Sequence, residues 1–95
     1  TNPEELLAGA HAGCYAMALS NGLADAGHPP DRVEASASVH LEDGEITRID
    51  LEVDATVPGI ENAAFQEAAA AAKTDCPVSQ ALAAVPEINL SATLA

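Results

Sequence analysis

Cys14 and Cys76 carry the strongest chemistry in this sequence, and each is the one reactive group on an alanine-rich, apolar stretch. A thiol in such surroundings packs as a small hydrophobe, unless a cation or helix N-terminus holds it as thiolate and oxidant can reach it. Two cysteines are too few for a secreted disulfide framework and lack the paired spacing of a zinc site, which leaves redox chemistry or plain burial. If each lies on the buried face of its own helix, packing those faces brings two remote thiols into one apolar cleft, as a redox pair requires. The other reading keeps both as inert core cysteines. Pro77 after Cys76 suggests a new helix start that would lower the pKa of this thiol, although Asp75 pushes the other way. Local sequence therefore nominates Cys76 as the better thiolate.

The remaining candidates are weaker. Glu4 reads as a carboxylate favoured by the helix dipole, or as a partner in charge relay. Along one continuous helix it stands about 15 Å from Cys14 and about 80° round the axis, so it could reach only a Cys14 of another subunit. His11 and Cys14 could share a metal, but no second ligand pair accompanies them, and His11 reads as a packed or hydrogen-bonded histidine. His28 and His40 read as solvated. Asp50, Glu52 and Asp54 form an outward row on a solvated sheet face rather than a calcium loop. Tyr15 and Met17 flank Cys14 and fit either a ligand pocket or ordinary core packing. Ser20 and Ser79 show no histidine in a triad relationship, which argues against hydrolase chemistry.

The elements that must position these groups follow from periodicity. Asn2 can cap a helix, Pro3 suits its first position, and Glu4 and Glu5 complement its dipole. The helix runs from 3 to about 26, with Leu6, Leu7, Ala10, Cys14, Met17 and Ala18 as its expected buried stripe, until Gly27, Pro29 and Pro30 stop it. Gly9, Gly13 and Gly22 weaken that helix and suggest close approach of another backbone. From Val33 to Leu41 the period is two, and the pattern repeats from Ile49 to Val57, predicting a hairpin turned at Asp43-Gly44. Facing Val39 with Ile49 and Ala37 with Leu51 requires an odd loop, such as Asp43-Gly44-Glu45, or a bulge. Residues 61 to about 75 predict a second helix, whose face carries Phe65, Ala68, Ala69, Ala72 and finally Cys76. A short helix opening at Pro77 follows, then a strand from Glu87 to Leu94.

Composition bounds the rest. The chain has 95 residues, near the size at which one core barely suffices, and only 2% are aromatic, so Ala, Val, Leu and Ile must fill the interior. A partner subunit is the expected support. A net charge of -12 repels phosphate backbones and anionic lipid, which argues against nucleic-acid and membrane roles. No apolar run approaches a span of about 20 residues and no signal-peptide pattern is seen, so a cytoplasmic location is expected.

The stretches TNPEELLAGAHAGCYAMALS (1–20) and TDCPVSQAL (74–82), separated by a hairpin and joined to a final EINLSATL strand, resemble the OsmC/Ohr family of thiol peroxidases. The wording HAGCYAMALS and CPVSQAL is more similar to the OsmC branch than to the Ohr branch. The resemblance covers nearly the whole chain and implies one α+β domain over 1–95. Antiparallel sheet strands would pack on a long central helix and a second Ala-rich helix, in an intertwined homodimer with active sites at the subunit interface. It also implies that N-terminal strands precede Thr1. Cys14 would be the peroxidatic cysteine, Cys76 the resolving one, and Glu4 the carboxylate orienting an arginine that precedes the Asn2-Pro3-Glu4 motif. The family role of Cys14 outranks the local argument for Cys76, because a full guanidinium charge exceeds the half charge of a helix end. Neither Arg32 nor Arg48 takes that arginine's place. The implied reaction reduces organic hydroperoxides to alcohols through a Cys14 sulfenic acid, closes a Cys14–Cys76 disulfide, and ends with reduction by an external lipoyl or thioredoxin-like dithiol. No cofactor is expected. Leu7, Met17, Phe65 and neighbouring alanines would form an apolar entrance. The rival reading is a non-enzymatic dimeric module that binds a small apolar ligand and leaves both thiols silent.

Overall fold

In the computed structural model, which describes residues 1–95, Asn2 caps the first helix as expected, its Oδ1 accepting the Glu5 N–H at 2.9 Å. That helix, α1 (Pro3–Asp25), is followed by β1 (Arg32–Glu42), β2 (Glu45–Thr56), α2 (Asn62–Asp75), α3 (Pro77–Ala81) and β3 (Glu87–Leu94). Gly27 closes α1 at a φ of 88°, a left-handed conformation that only glycine adopts cheaply. No helix is long and apolar enough to cross a membrane.

β1 and β2 pair antiparallel with Val39 opposite Ile49 and Ala37 opposite Leu51. The turn itself holds two residues, Asp43 and Gly44, both at positive φ. A bulge supplies the parity that such a turn lacks: His40 faces Arg48 and Leu41 faces Ile46, so Thr47 is the extra residue.

The expected antiparallel arrangement fails at the third strand. The sheet order is β1-β2-β3, and β3 runs parallel to β2. The chain leaves β2 and returns through α2 and α3, and a helical crossover of this kind brings the next strand back in the same direction. Its alternation still holds, with Ile88, Leu90, Ala92 and Leu94 half-buried against the core and their neighbours exposed.

One sheet face receives both long helices. Leu51, Val53 and Ala55 of β2 and Val57 just beyond it meet Tyr15, Leu19 and Leu23 of α1 and Phe65, Ala69 and Ala72 of α2, all buried. Tyr15 Oη donates to the Ala69 carbonyl at 3.0 Å, tying α1 to α2. The opposite face is the expected acidic one. Arg32 bridges Asp54 at 2.7 Å and Glu34 at 3.2 Å across it. His40 is not simply solvated, for its Nε2 lies 2.9 Å from Asp50 Oδ2, which also accepts from Arg48 Nε at 3.1 Å.

The stripe expected on α1 is not the one buried. His11, Tyr15, Leu19 and Leu23 turn inward, whereas Leu6 is 65% exposed and Met17 69% exposed, Ala10 is exposed, and Leu7, Cys14 and Ala18 are half-buried. The helix is apolar around most of its circumference, so the face carrying the largest side chains at four-residue spacing wins the sheet. Within this chain nothing approaches Gly9, Gly13 or Gly22, where an added Cβ would meet no atom within 4 Å. The close approach expected there is therefore absent from the chain's own fold.

Candidate active site

Cys76 sits where two helices meet. Its N–H bonds the Ala72 carbonyl at 2.9 Å and so ends α2, while its carbonyl accepts from Gln80 N–H at 3.1 Å and starts α3. Pro77 breaks the run between them, having no N–H to continue α2 and a φ suited to a first helical position. This junction turns the fully buried Cys76 sulfur toward α1.

There it meets Cys14, and the two thiols lie close enough to perturb each other's ionisation. Burial pushes the Cys76 thiol up, yet the Ser79 N–H, the Cys14 thiol, the Ser79 hydroxyl and the Val78 N–H together outweigh it and hold Cys76 below its ordinary value. For Cys14 the Val78 N–H pulls down, but Cys76 and burial prevail and the thiol is held up. Two such neighbours release one proton readily and the second only against the first charge. The easier charge belongs to Cys76, the thiol at the helix junction.

Access runs the other way. Cys14 is half-buried and opens on a groove of about 570 Å³ lined by Gly9, Ala10, Gly13, Met17, Ala18 and Pro77, with Asn21 at its edge. Of the expected entrance Met17 and the alanines Ala10 and Ala18 remain. Phe65 is fully buried in the core and Leu7 does not line the groove.

Glu4 is not brought to the thiols. It lies on the first turn of α1 beside Ala37, Ser38 and Val39, and the unbroken helix keeps it from Cys14. The three basic side chains are engaged elsewhere: Arg32 and Arg48 on the acidic sheet face, and Lys73 with the Ile88 carbonyl at 3.1 Å. No group of three or more His, Cys, Asp or Glu converges as a metal site would require.

The sequence reading missed one contact. It found no histidine for Ser79, yet His11 Nε2 lies 2.7 Å from Ser79 Oγ, both residues buried and 68 positions apart. A signal existed: His11 stands one helical turn before Cys14 and Ser79 one turn after Cys76, so joining the cysteines joins their neighbours. Burial lowers the His11 pKa and keeps the ring neutral, and its Nδ1 has no partner. The Tyr15 hydroxyl, also buried, is pushed up to about 12.

Comparisons with known proteins agree on one family. The family model described as OsmC-like protein matches residues 1–91. The chain is 45% identical over 94 residues to the peroxiredoxin OsmC of Escherichia coli (strain K12), covering 95% of this chain and 64% of that protein. Among solved structures, an OsmC-like protein from Mycoplasma pneumoniae superposes with a TM-score of 0.83 at 20% identity, over 98% of this chain and 71% of that one. An organic hydroperoxide resistance protein from Elizabethkingia anophelis does so with a TM-score of 0.79 at 26% identity, over 100% of this chain and 69% of that one.

Proposed function

This chain belongs to the OsmC family, and from that premise we propose that it acts as a thiol-dependent peroxidase that reduces organic hydroperoxides. The observation that carries this reading is the meeting of the buried Cys76 with Cys14, which itself lines a solvent-open, largely apolar groove. Cys14 takes the peroxidatic role because the groove reaches it, whereas Cys76 is wholly buried.

The Cys14 thiolate attacks the outer peroxide oxygen, the O–O bond breaks, and the alkoxide leaves and takes a proton to become the alcohol. Cys14 is then a sulfenic acid. Cys76 attacks its sulfur, a disulfide forms, and the oxygen departs as water. An external dithiol restores both thiols by exchange and is itself oxidised to a disulfide. The apolar lining favours hydroperoxides with hydrocarbon tails over hydrogen peroxide, and equal rates on the two would count against that preference.

Within one chain Cys14 is held up in pKa with no cation beside it, so the reading includes a second copy. The exposed Leu6 and Met17 and the open Gly9 and Gly13 offer the face on which two chains assemble, leaving room for close helix approach. By the family resemblance, assembly would bring Glu4 of one copy, in the role of a carboxylate that orients a guanidinium, toward Cys14 of the other.

Consumption of an organic hydroperoxide coupled to oxidation of an added dithiol tests the proposal. The unmodified chain should turn over and Cys14→Ser should lose all activity. Equal consumption by both, or none by either, supports the reading in which the groove binds an apolar ligand and the thiols stay silent.

A further inference from the structure

Beyond the two cysteines, the structure buries a polar pair that a purely structural core would not need. His11 is fully buried, bonds Ser79 through Nε2 at 2.7 Å and leaves Nδ1 without a partner. An apolar side chain of similar size would fill that place without the orphaned nitrogen. Ser79 stands one helical turn after Cys76 at the start of α3, and its hydroxyl is among the groups that hold the Cys76 thiol below its ordinary value.

The tautomer follows from counting donors. If Nε2 carries the proton, it donates to Ser79 Oγ, and the Ser79 O–H is free to donate to Cys76 Sγ; the cost is one unpaired lone pair at Nδ1. If Nδ1 carries it, Nε2 accepts the Ser79 hydroxyl, the sulfur loses its donor, and a buried N–H stands without an acceptor. Orphaned buried donors are rarer than orphaned acceptors, which selects the first arrangement.

We infer that His11 and Ser79 are positioning residues, a donor chain from imidazole N–H through hydroxyl to sulfur that holds Cys76 as a thiolate for exchange with Cys14. The inference rests on the thiol-peroxidase reading and assigns Cys76 two uses. In condensation, the Cys76 thiolate attacks Cys14 Sγ of the sulfenic acid; the S–S bond forms, the S–O bond breaks, and hydroxide leaves and gains a proton to become water. In reduction, buried Cys76 is out of reach, so the external dithiol attacks Cys14 Sγ and Cys76 departs with the electron pair as thiolate. The dithiol's second thiol then closes its own disulfide and frees Cys14. A leaving thiolate that already accepts hydrogen bonds leaves faster.

A titration of thiolate ultraviolet absorbance in the Cys14→Ser chain, where Cys76 is the one thiol, tests this. The titratable groups around it are His11, Tyr15 and, in the unmodified chain, Cys14 on α1, with Asp75 on α2. The chain has no tryptophan and its single tyrosine is pushed up to about 12, so the thiol range is clear. Ser79→Ala in that background should move the Cys76 midpoint up by about one pH unit. His11→Phe should move it less, in the same direction. Ser79→Thr and His11→Gln, which keep a donor in place, should stay near the parent value. An unmoved midpoint in Ser79→Ala, or an equal rise in Ser79→Thr, overturns the inference; if Ser79→Ala fails to fold by circular dichroism, an unmoved His11→Phe does so. The readout uses no peroxide, so a flat titration sinks the donor chain alone, whereas absent turnover in the unmodified chain sinks the peroxidase reading.

Discussion

The two faces of α1 behave as though they belonged to different proteins. His11, Tyr15, Leu19 and Leu23 close completely on the sheet, α2 and α3, while nearly half a turn away Leu6, Ala10, Cys14 and Met17 stand open or half-open. The covered face makes the fold and the open face carries the candidate site. Cys14 lies at their boundary, packed against the core on one side and exposed to the groove on the other. The proposed reactive thiol thus sits where the chain's own packing ends, at the surface that a second copy is proposed to complete.

The comparison is broken most severely from the covered side. Leu19→Ala leaves a cavity among buried neighbours and should cost about 2–5 kcal/mol in a denaturant unfolding series; a loss below about 1 kcal/mol would mean that this face is loosely packed. Tyr15→Phe keeps the ring and removes the donor to the Ala69 carbonyl, with an expected cost of about 1–2 kcal/mol by the same measurement.

The open side predicts the reverse pattern. Met17→Ser should change the unfolding free energy of the dilute chain by no more than about 0.5 kcal/mol, yet weaken self-association in sedimentation runs across a concentration series. Unchanged association would remove this face from the proposed interface.

The smallest effect belongs to the outer sheet face, exposed like the groove but satisfied by its own charges. Hydrogen bonding from Asn89, then His40 and Arg48, holds the Asp50 carboxyl below its ordinary value. A lowered folded pKa stabilises above the unfolded value of about 4 and is lost as pH falls through the folded one. Asp50→Asn should therefore narrow the stability gap between neutral and strongly acid pH, read from denaturant midpoints, and an unchanged gap would show that the network adds nothing.

What the sequence made legible follows from which signals were one-sided. The β1 and β2 alternation allowed only one inward set, so the Val39–Ile49 register was readable, including the need for a bulge or odd loop. Cys76 was placed correctly at a helix junction because Pro77 permits little else. The face of α1 was not readable, because small apolar residues nearly encircle it and periodicity then offers several stripes; side-chain size against the sheet and α2 decided. The direction of β3 depends on the path of the crossover, not on the strand's own pattern. The His11–Ser79 contact needed the cysteines joined before either neighbour had meaning.

Adding one equivalent of an organic hydroperoxide to the reduced chain and mapping its cysteines by peptide mass tests the central claim most directly. The account predicts that both free thiols disappear together and that one cross-linked peptide pair joins Cys14 to Cys76 within a single chain. Recovery of Cys76 as a free thiol beside an irreversibly oxidised Cys14, or of both thiols unchanged, would contradict it.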